Sequence, residues 1–205
     1  MKRIDCMIVG LTGGIASGKT TVASILIEKG YRVIDSDNIS REVIEPGKPA
    51  YKDIIDFFGE SILNRDESIN RKILGDLVFS DDKLLQVLNN ITHPYIFKEL
   101  INQINSQCRS NRIIFVDIPL LFERYEELKE EGIVFDEIWL VYVDEKVQLE
   151  RLMLRNNLKE KQAIDRINAQ IPLEIKRENA TRLIDNNGDF EQLRRNVEGV
   201  LGQFI

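Results

Sequence analysis

The chain has 205 residues, 43% of them hydrophobic and 30% charged, with a formal net charge of −6. That balance excludes disordered and fibrous classes and suits an ordinary soluble globular protein, long enough for one main domain with an added subdomain. The acidic excess argues against a nucleic-acid partner, because general backbone binding needs a broad basic surface to displace counterions.

Lys2 and Arg3 precede a short apolar run, but Asp5 interrupts it and a glycine cluster with Lys19 follows, so the segment reads as a first strand rather than a leader. The strand is expected over Met7-Ile8-Val9-Gly10-Leu11, then a glycine loop and a helix over residues 20–29 that Gly30 stops. A second strand is expected over residues 31–35. Helix-like stretches then run from about Ile39 to Gln107, punctuated at Pro46-Gly47-Lys48-Pro49 and Gly59.

Strands resume at Ile113-Ile114-Phe115-Val116-Asp117 and over residues 138–143, continuous apolar runs of the kind a parallel sheet buries on both faces. One helix is expected from near Lys146, another with Ala163, Ile164 and Ile167 on its apolar side, and a last short strand over residues 182–185. Asn186-Asn187-Gly188 is a turn signal, and residues 190–204 have helical periodicity. The longest apolar run, residues 138–143, falls far short of the roughly 18 needed to cross a bilayer, so no membrane partner is expected. Cys6 and Cys108 form neither a CxxC pair nor a larger framework; no metal site or disulfide is expected of them, and a reducing cytoplasm fits.

Strands alternating with helices imply an α/β fold: an open parallel sheet flanked by helices, with ligands at the carboxyl ends of the strands. The helical stretch after the second strand reads as an inserted substrate-binding subdomain. Gly13-Gly14-Ile15-Ala16-Ser17-Gly18-Lys19-Thr20 satisfies G-x-x-x-x-G-K-[ST] between a strand and an amphipathic helix, the context that marks a P-loop. Its backbone N–H groups and helix N-terminus are expected to cradle phosphates, with Lys19 on the β- and γ-phosphates and Thr20 on Mg²⁺. The motif alone does not separate a kinase from a switch or a motor.

Asp35 and Asp37 follow the second strand and are expected beside the loop of the first strand. Asp37 is the candidate base for an acceptor hydroxyl; the Asp-Ser-Asp run equally suits a helix cap. Asp117, ending an apolar strand, is a candidate for the Mg²⁺ shell. Arg151 and Arg155 are four apart and share a helix face, and Arg166 and Gln170 repeat that spacing on the next predicted helix. Guanidiniums on a mobile lid would stabilise a transferring phosphoryl group and exclude water, although solvated helix faces also carry such arginines.

Taken together, these motifs resemble the dephospho-coenzyme A kinase family almost end to end. The resemblance runs through Gly10-Leu11-Thr12-Gly13-Gly14-Ile15, Ser17-Gly18-Lys19-Thr20-Thr21-Val22, Ile34-Asp35-Ser36-Asp37, Asn70-Arg71 and His93-Pro94. It continues through Asp117-Ile118-Pro119-Leu120-Leu121-Phe122-Glu123, Gln148-Leu149-Glu150-Arg151-Leu152-Met153, Arg155, Arg166, Gln170, Lys176 and Ile184-Asp185-Asn186 with Gly188.

What the resemblance implies is transfer of the ATP γ-phosphate to the ribose 3′-hydroxyl of dephospho-CoA in a monomeric cytoplasmic enzyme that uses ATP and Mg²⁺. It further implies one kinase domain over 1–205: a P-loop core (1–37, 109–144 and 181–205), a helical CoA-binding subdomain (38–108) and a lid (145–180). Carried onto this chain, it makes Asp37, Lys19 and Arg151 catalytic. Gly13 through Thr21, Arg155 and Asn186 would hold the nucleotide, Asp37, Arg71, His93 and Asp117 the acceptor, and Thr20 and Asp117 the metal. Three positions depart from the family: Ala16, where glycine is usual and which is tolerable if its φ is negative; Gly75, inside a predicted helix; and Thr181, where aspartate is frequent. Another small-metabolite P-loop kinase, acting on a nucleoside, a nucleotide or shikimate, is the alternative. No Asn-Lys-x-Asp guanine-reading sequence supports a nucleotide-binding switch, and a purely structural protein would leave the phosphate loop without a purpose.

Overall fold

The computed structural model describes residues 6–203; Lys2, Arg3, Asp5 and the Phe204 end of the last predicted helix lie outside them. Five strands form one parallel sheet: β1 (Met7–Gly13), β2 (Arg32–Asp35), β3 (Ile113–Asp117), β4 (Glu137–Tyr142) and β5 (Arg182–Asp185), in the order β2-β3-β1-β4-β5. The helices are α1 (Lys19–Glu28), α2 (Ser36–Glu42), α3 (Pro49–Phe58), α4 (Arg71–Val78), α5 (Asp82–Gln107), α6 (Tyr125–Glu130), α7 (Glu145–Asn156), α8 (Glu160–Asn168), α9 (Leu173–Asn179) and α10 (Phe190–Leu201).

The described residues divide into two compact units, one of residues 6–35 with 104–203 and one of residues 36–103. In the first, successive strand residues point to opposite faces, as the two-residue period requires. Val9, Leu11, Phe115, Trp139, Val141 and Ile184 pack with Val22, Ile25 and Leu26 of α1 and Leu193, Val197 and Leu201 of α10. The opposite face joins Leu140, Tyr142 and Val143 to Leu173 at the start of α9. Each such fully buried aliphatic or Phe side chain contributes about 1.5–3 kcal/mol. Helix α10 starts where the Asp189 side chain accepts the Gln192 N–H at 2.8 Å. Thr181, at the entry to β5, accepts the Ile138 N–H through Oγ1 and donates both its hydroxyl and its own N–H to the Ile138 carbonyl. Threonine thus extends the ladder at the entry to β5.

The second unit is helical around Ile54, Ile62, Ile69, Leu74 and Val78. Gly75 lies inside α4, and a Cβ there would meet only Phe79, at ordinary contact distance.

Against expectation, Cys6 and Cys108 are disulfide-bonded, with Cα atoms 5.3 Å apart and a sequence separation of 102. The bond ties the residue before β1 to the residue after α5. Two cysteines so far apart in sequence carry no spacing signal, so only the fold reveals the pair, and they give no support to a reducing compartment. Among the described residues no helix is long and apolar enough to cross a membrane.

Candidate active site

The phosphate loop leaves the carboxyl end of β1 and enters α1. Gly18, immediately before the helix, has φ 89°, which only glycine adopts cheaply, and a Cβ there would collide with the side-chain amide of Asn186. A Cβ on Gly14 would meet Gln148 Nε2 at 2.6 Å and Leu173 at 3.1 Å. Both glycines therefore serve close packing around the loop as well as its turn. Ala16 has φ 62°, so the negative φ under which an alanine would be tolerated without strain is not met: the loop holds a left-handed residue where this chain carries a Cβ. Several bonds brace the loop. Ser17 N–H donates to the Gly14 carbonyl, Asn186 Nδ2 donates to the Ser17 carbonyl at 2.7 Å, and the Ile15 N–H donates to Gln170 Oε1 at 2.8 Å. The Ser17 hydroxyl is buried without a hydrogen-bond partner among the described residues, a polar atom left for a ligand of the loop.

Lys19, the first residue of α1, makes a charge-assisted hydrogen bond to Asp117 Oδ1, and Asp117 is only 5% exposed. Strand β3 supplies that carboxylate. It lies between β1 and β2, pairing Asp117 with Leu11 on one side and with Asp35 on the other. Asp35 thus stands one strand away from the loop strand, with Asp117 between them, because the third strand is inserted between the first two. The Thr12 hydroxyl donates to the Pro119 carbonyl, securing the segment after β3 to β1.

Arg151 and Arg155 are both on α7. Arg151 reaches the Gly188 carbonyl at 3.4 Å, while Arg155 Nε donates to Asn156 Oδ1. Arg166 is exposed on α8. Gln170, expected to continue that helix face, lies beyond it, since α8 ends at Asn168, and turns instead to the phosphate loop. Gln148 was not singled out for a role: on α7 it is 4% exposed and donates Nε2 to the Ile15 carbonyl at 2.9 Å. The signal was its place one helical turn before buried Leu152, a core position that a polar side chain occupies only with a partner.

Asp37, Arg71 and His93 all belong to the second unit. Asp37 lies in the first turn of α2, with its carbonyl accepting from the Ser40 hydroxyl. Asn70 caps α4 by accepting the Lys72 and Ile73 N–H groups, which sets Arg71 at the first helical position. His93, one residue before Pro94 in α5, stacks obliquely against Phe97 with ring centroids 5.5 Å apart.

The donor set fits Mg²⁺ rather than a metal caged by protein. Among the described residues no group of three or more His, Cys, Asp or Glu converges to hold an ion. The Thr20 hydroxyl and the Asp117 carboxylate are the hard oxygen donors expected of a cation carried chiefly by nucleotide phosphates and water.

Residues 7–192 match the family model described as "Dephospho-CoA kinase". A dephospho-CoA kinase of Carboxydothermus hydrogenoformans is 48% identical over 195 residues, covering 95% of this chain and 92% of that protein. The solved structure of dephospho-CoA kinase from Campylobacter jejuni superposes with a TM-score of 0.73 at 28% identity over 96% of each chain. A shikimate kinase from Acinetobacter baumannii, with a TM-score of 0.53 at 18% identity over 97% of this chain and 93% of that one, shares the fold alone. With a family model spanning most of its length and a 48%-identical relative matched nearly end to end, the chain belongs to the dephospho-CoA kinase family.

Proposed function

We propose that this kinase transfers the γ-phosphoryl group of ATP to the ribose 3′-hydroxyl of dephospho-CoA, giving CoA and ADP, the last step of coenzyme A synthesis. The observation that carries the reading is the braced phosphate loop with its Lys19–Asp117 pair in a chain of this family. The acceptor oxygen bonds to the γ-phosphorus as the bond to the β,γ-bridging oxygen breaks, and the acceptor proton passes to Asp37.

In this reading Lys19 exchanges Asp117 for β- and γ-phosphate oxygens. Thr20 and Asp117 would hold Mg²⁺, which supplies charge neutralisation at those phosphates. Gly13, Gly14, Ile15, Ala16, Ser17, Gly18 and Thr21 shape the nucleotide cradle, with Asn186 behind it. Arg71 and His93, with Asp37 and Asp117, serve the acceptor. Residues 38–108 form the acceptor subdomain and residues 145–180 a lid carrying Arg151 and Arg155 to the ATP, leaving 1–37, 109–144 and 181–205 as the core. We place the enzyme in the cytoplasm, where ATP is supplied, as a monomer with no nucleic-acid partner.

The test is ADP release with Mg²⁺ and ATP against dephospho-CoA, adenosine, uridine, CMP and shikimate, with mass spectrometry of the product. Turnover with dephospho-CoA alone, giving a product one phosphate heavier that matches CoA, is the expected result. Turnover only with another acceptor would overturn the substrate assignment and the roles of Arg71 and His93.

A further inference from the structure

One residue of the phosphate loop is gripped from two directions. Gln148 Nε2, on α7, donates to the Ile15 carbonyl, and the Ile15 N–H donates to Gln170 Oε1 in the segment between α8 and α9. Both main-chain polar groups of Ile15 are thus occupied by side chains from elements outside the loop. The next residue is Ala16, at φ 62°. An L-residue in the left-handed region costs roughly 1–2 kcal/mol of local energy and persists only where the surroundings over-determine it. The glutamine pair is such a surrounding.

Gln170 belongs to no helix, so its position depends on what anchors its neighbours. The Ile171 N–H donates to Glu123 Oε1 at 3.1 Å, and the same oxygen lies 2.7 Å from Lys176 Nζ, on α9. Lys176 is fully buried. Its ammonium and Glu123 Oε2 have no aligned hydrogen-bond partner among the described residues, so the pair is held by charge rather than by good hydrogen-bond geometry. Tyr142, at the end of β4, fixes the same helix through its hydroxyl to Glu174.

A buried Lys–Glu pair is a poor source of net stability, because packed apolar side chains of similar volume do as well; its attested use is to specify register. Here the register in question is the placement of residue 170 against the loop. We propose that Glu123 and Lys176 are positioning residues for phosphoryl transfer, acting through Ile171 and Gln170 on the Ile15 N–H of the phosphate loop. The proposal rests on the nucleotide-binding part of the reading above and is independent of the acceptor's identity.

Three variants test it: Gln170→Met, which keeps length and flexibility but removes the acceptor; Glu123→Met/Lys176→Met, which removes both charges without stranding either, and with them the acceptor of the Ile171 N–H; and the two combined. Affinity for ATP is titrated without acceptor, well below each variant's melting temperature. If the acceptor panel fails, the substrate assignment falls and this measurement still stands. Gln170→Met should raise the ATP Kd about 3- to 10-fold, the worth of one hydrogen bond, with the KM for acceptor unchanged. The pair variant should weaken ATP comparably, and the combined variant should be no worse than Gln170→Met, because serial effects through one residue do not add. A purely structural pair would lower the melting temperature and leave the ATP Kd alone. That outcome, wild-type ATP affinity in Gln170→Met, or a combined loss equal to the product of the separate losses would overturn the proposal.

Discussion

Asn186 Nδ2 donates to the Ser17 carbonyl at 2.7 Å, and it occupies the space that a Cβ on Gly18 would need. A carbonyl stripped of its partner inside a protein costs about 1–3 kcal/mol. Asn186→Ala should therefore lower Tm by about 2–12 °C and weaken ATP binding, as read by thermal melts and nucleotide titration. Gly18→Ala should be worse in both, since it adds a collision and a backbone conformation that alanine resists. A Gly18→Ala protein with wild-type melting and ATP binding would contradict this packing.

Ala16→Gly should relieve the left-handed penalty of roughly 1–2 kcal/mol. Glycine's greater freedom in the unfolded chain takes back about 0.4–1 kcal/mol. The net expectation is a small gain, raising Tm by about 6 °C at most, with activity retained. A fall in Tm would show that the alanine methyl makes a contact worth more than its strain.

The Cys6–Cys108 bond spans 102 residues of sequence, and bonds closing long loops stabilise by about 2–4 kcal/mol. Reduction should lower Tm by about 5–15 °C, and Cys108→Ser should melt like the reduced protein. Thiol titration in denaturant checks the premise: no thiol before reduction and two after. Two reactive thiols in the untreated protein would show that the bond does not form.

Asp37→Asn should leave ATP affinity intact while kcat falls by roughly 10²-fold or more, the usual contribution of a positioned proton acceptor. Stopped-assay turnover beside ATP titration separates the two effects. Unchanged kcat would remove Asp37 from the chemistry and leave it as the start of α2.

The Tyr142 hydroxyl donates to Glu174, and that bond, with burial and the negative charges of Glu174 and Asp144, pushes its pKa from 10.0 up to about 12. The folded protein then keeps a proton that the unfolded chain releases, so the stabilisation is complete below pH 10 and disappears as pH rises to about 12. Urea denaturation across this range should show the gap between wild type and Tyr142→Phe shrinking as pH rises. A constant gap would mean that the hydroxyl's proton is not held more tightly in the folded state.

The strands were legible because a parallel sheet buries both faces: β3 and β5 lie on the residues read for them, 113–117 and 182–185. The phosphate loop was legible because its glycines and Lys19 carry their own spacing. Strand order was not, since nothing local in residues 113–117 says that β3 inserts between β1 and β2. Helix α6, Tyr125–Glu130, was missed because six residues with three acids show no apolar stripe. Gln170 was read as helical from its spacing to Arg166, yet a partner 155 residues away, Ile15, decides where it points. The left-handed φ of Ala16 was equally hidden, because alanine is the residue that would not advertise it.

The Cys6–Cys108 bond also encloses the whole of residues 36–103, so the second unit hangs on a covalently closed ring. A protease that nicks any loop within that ring leaves both fragments joined. Such a molecule travels as one chain until a reductant is added, and limited proteolysis within residues 36–103 shows only on a reducing gel.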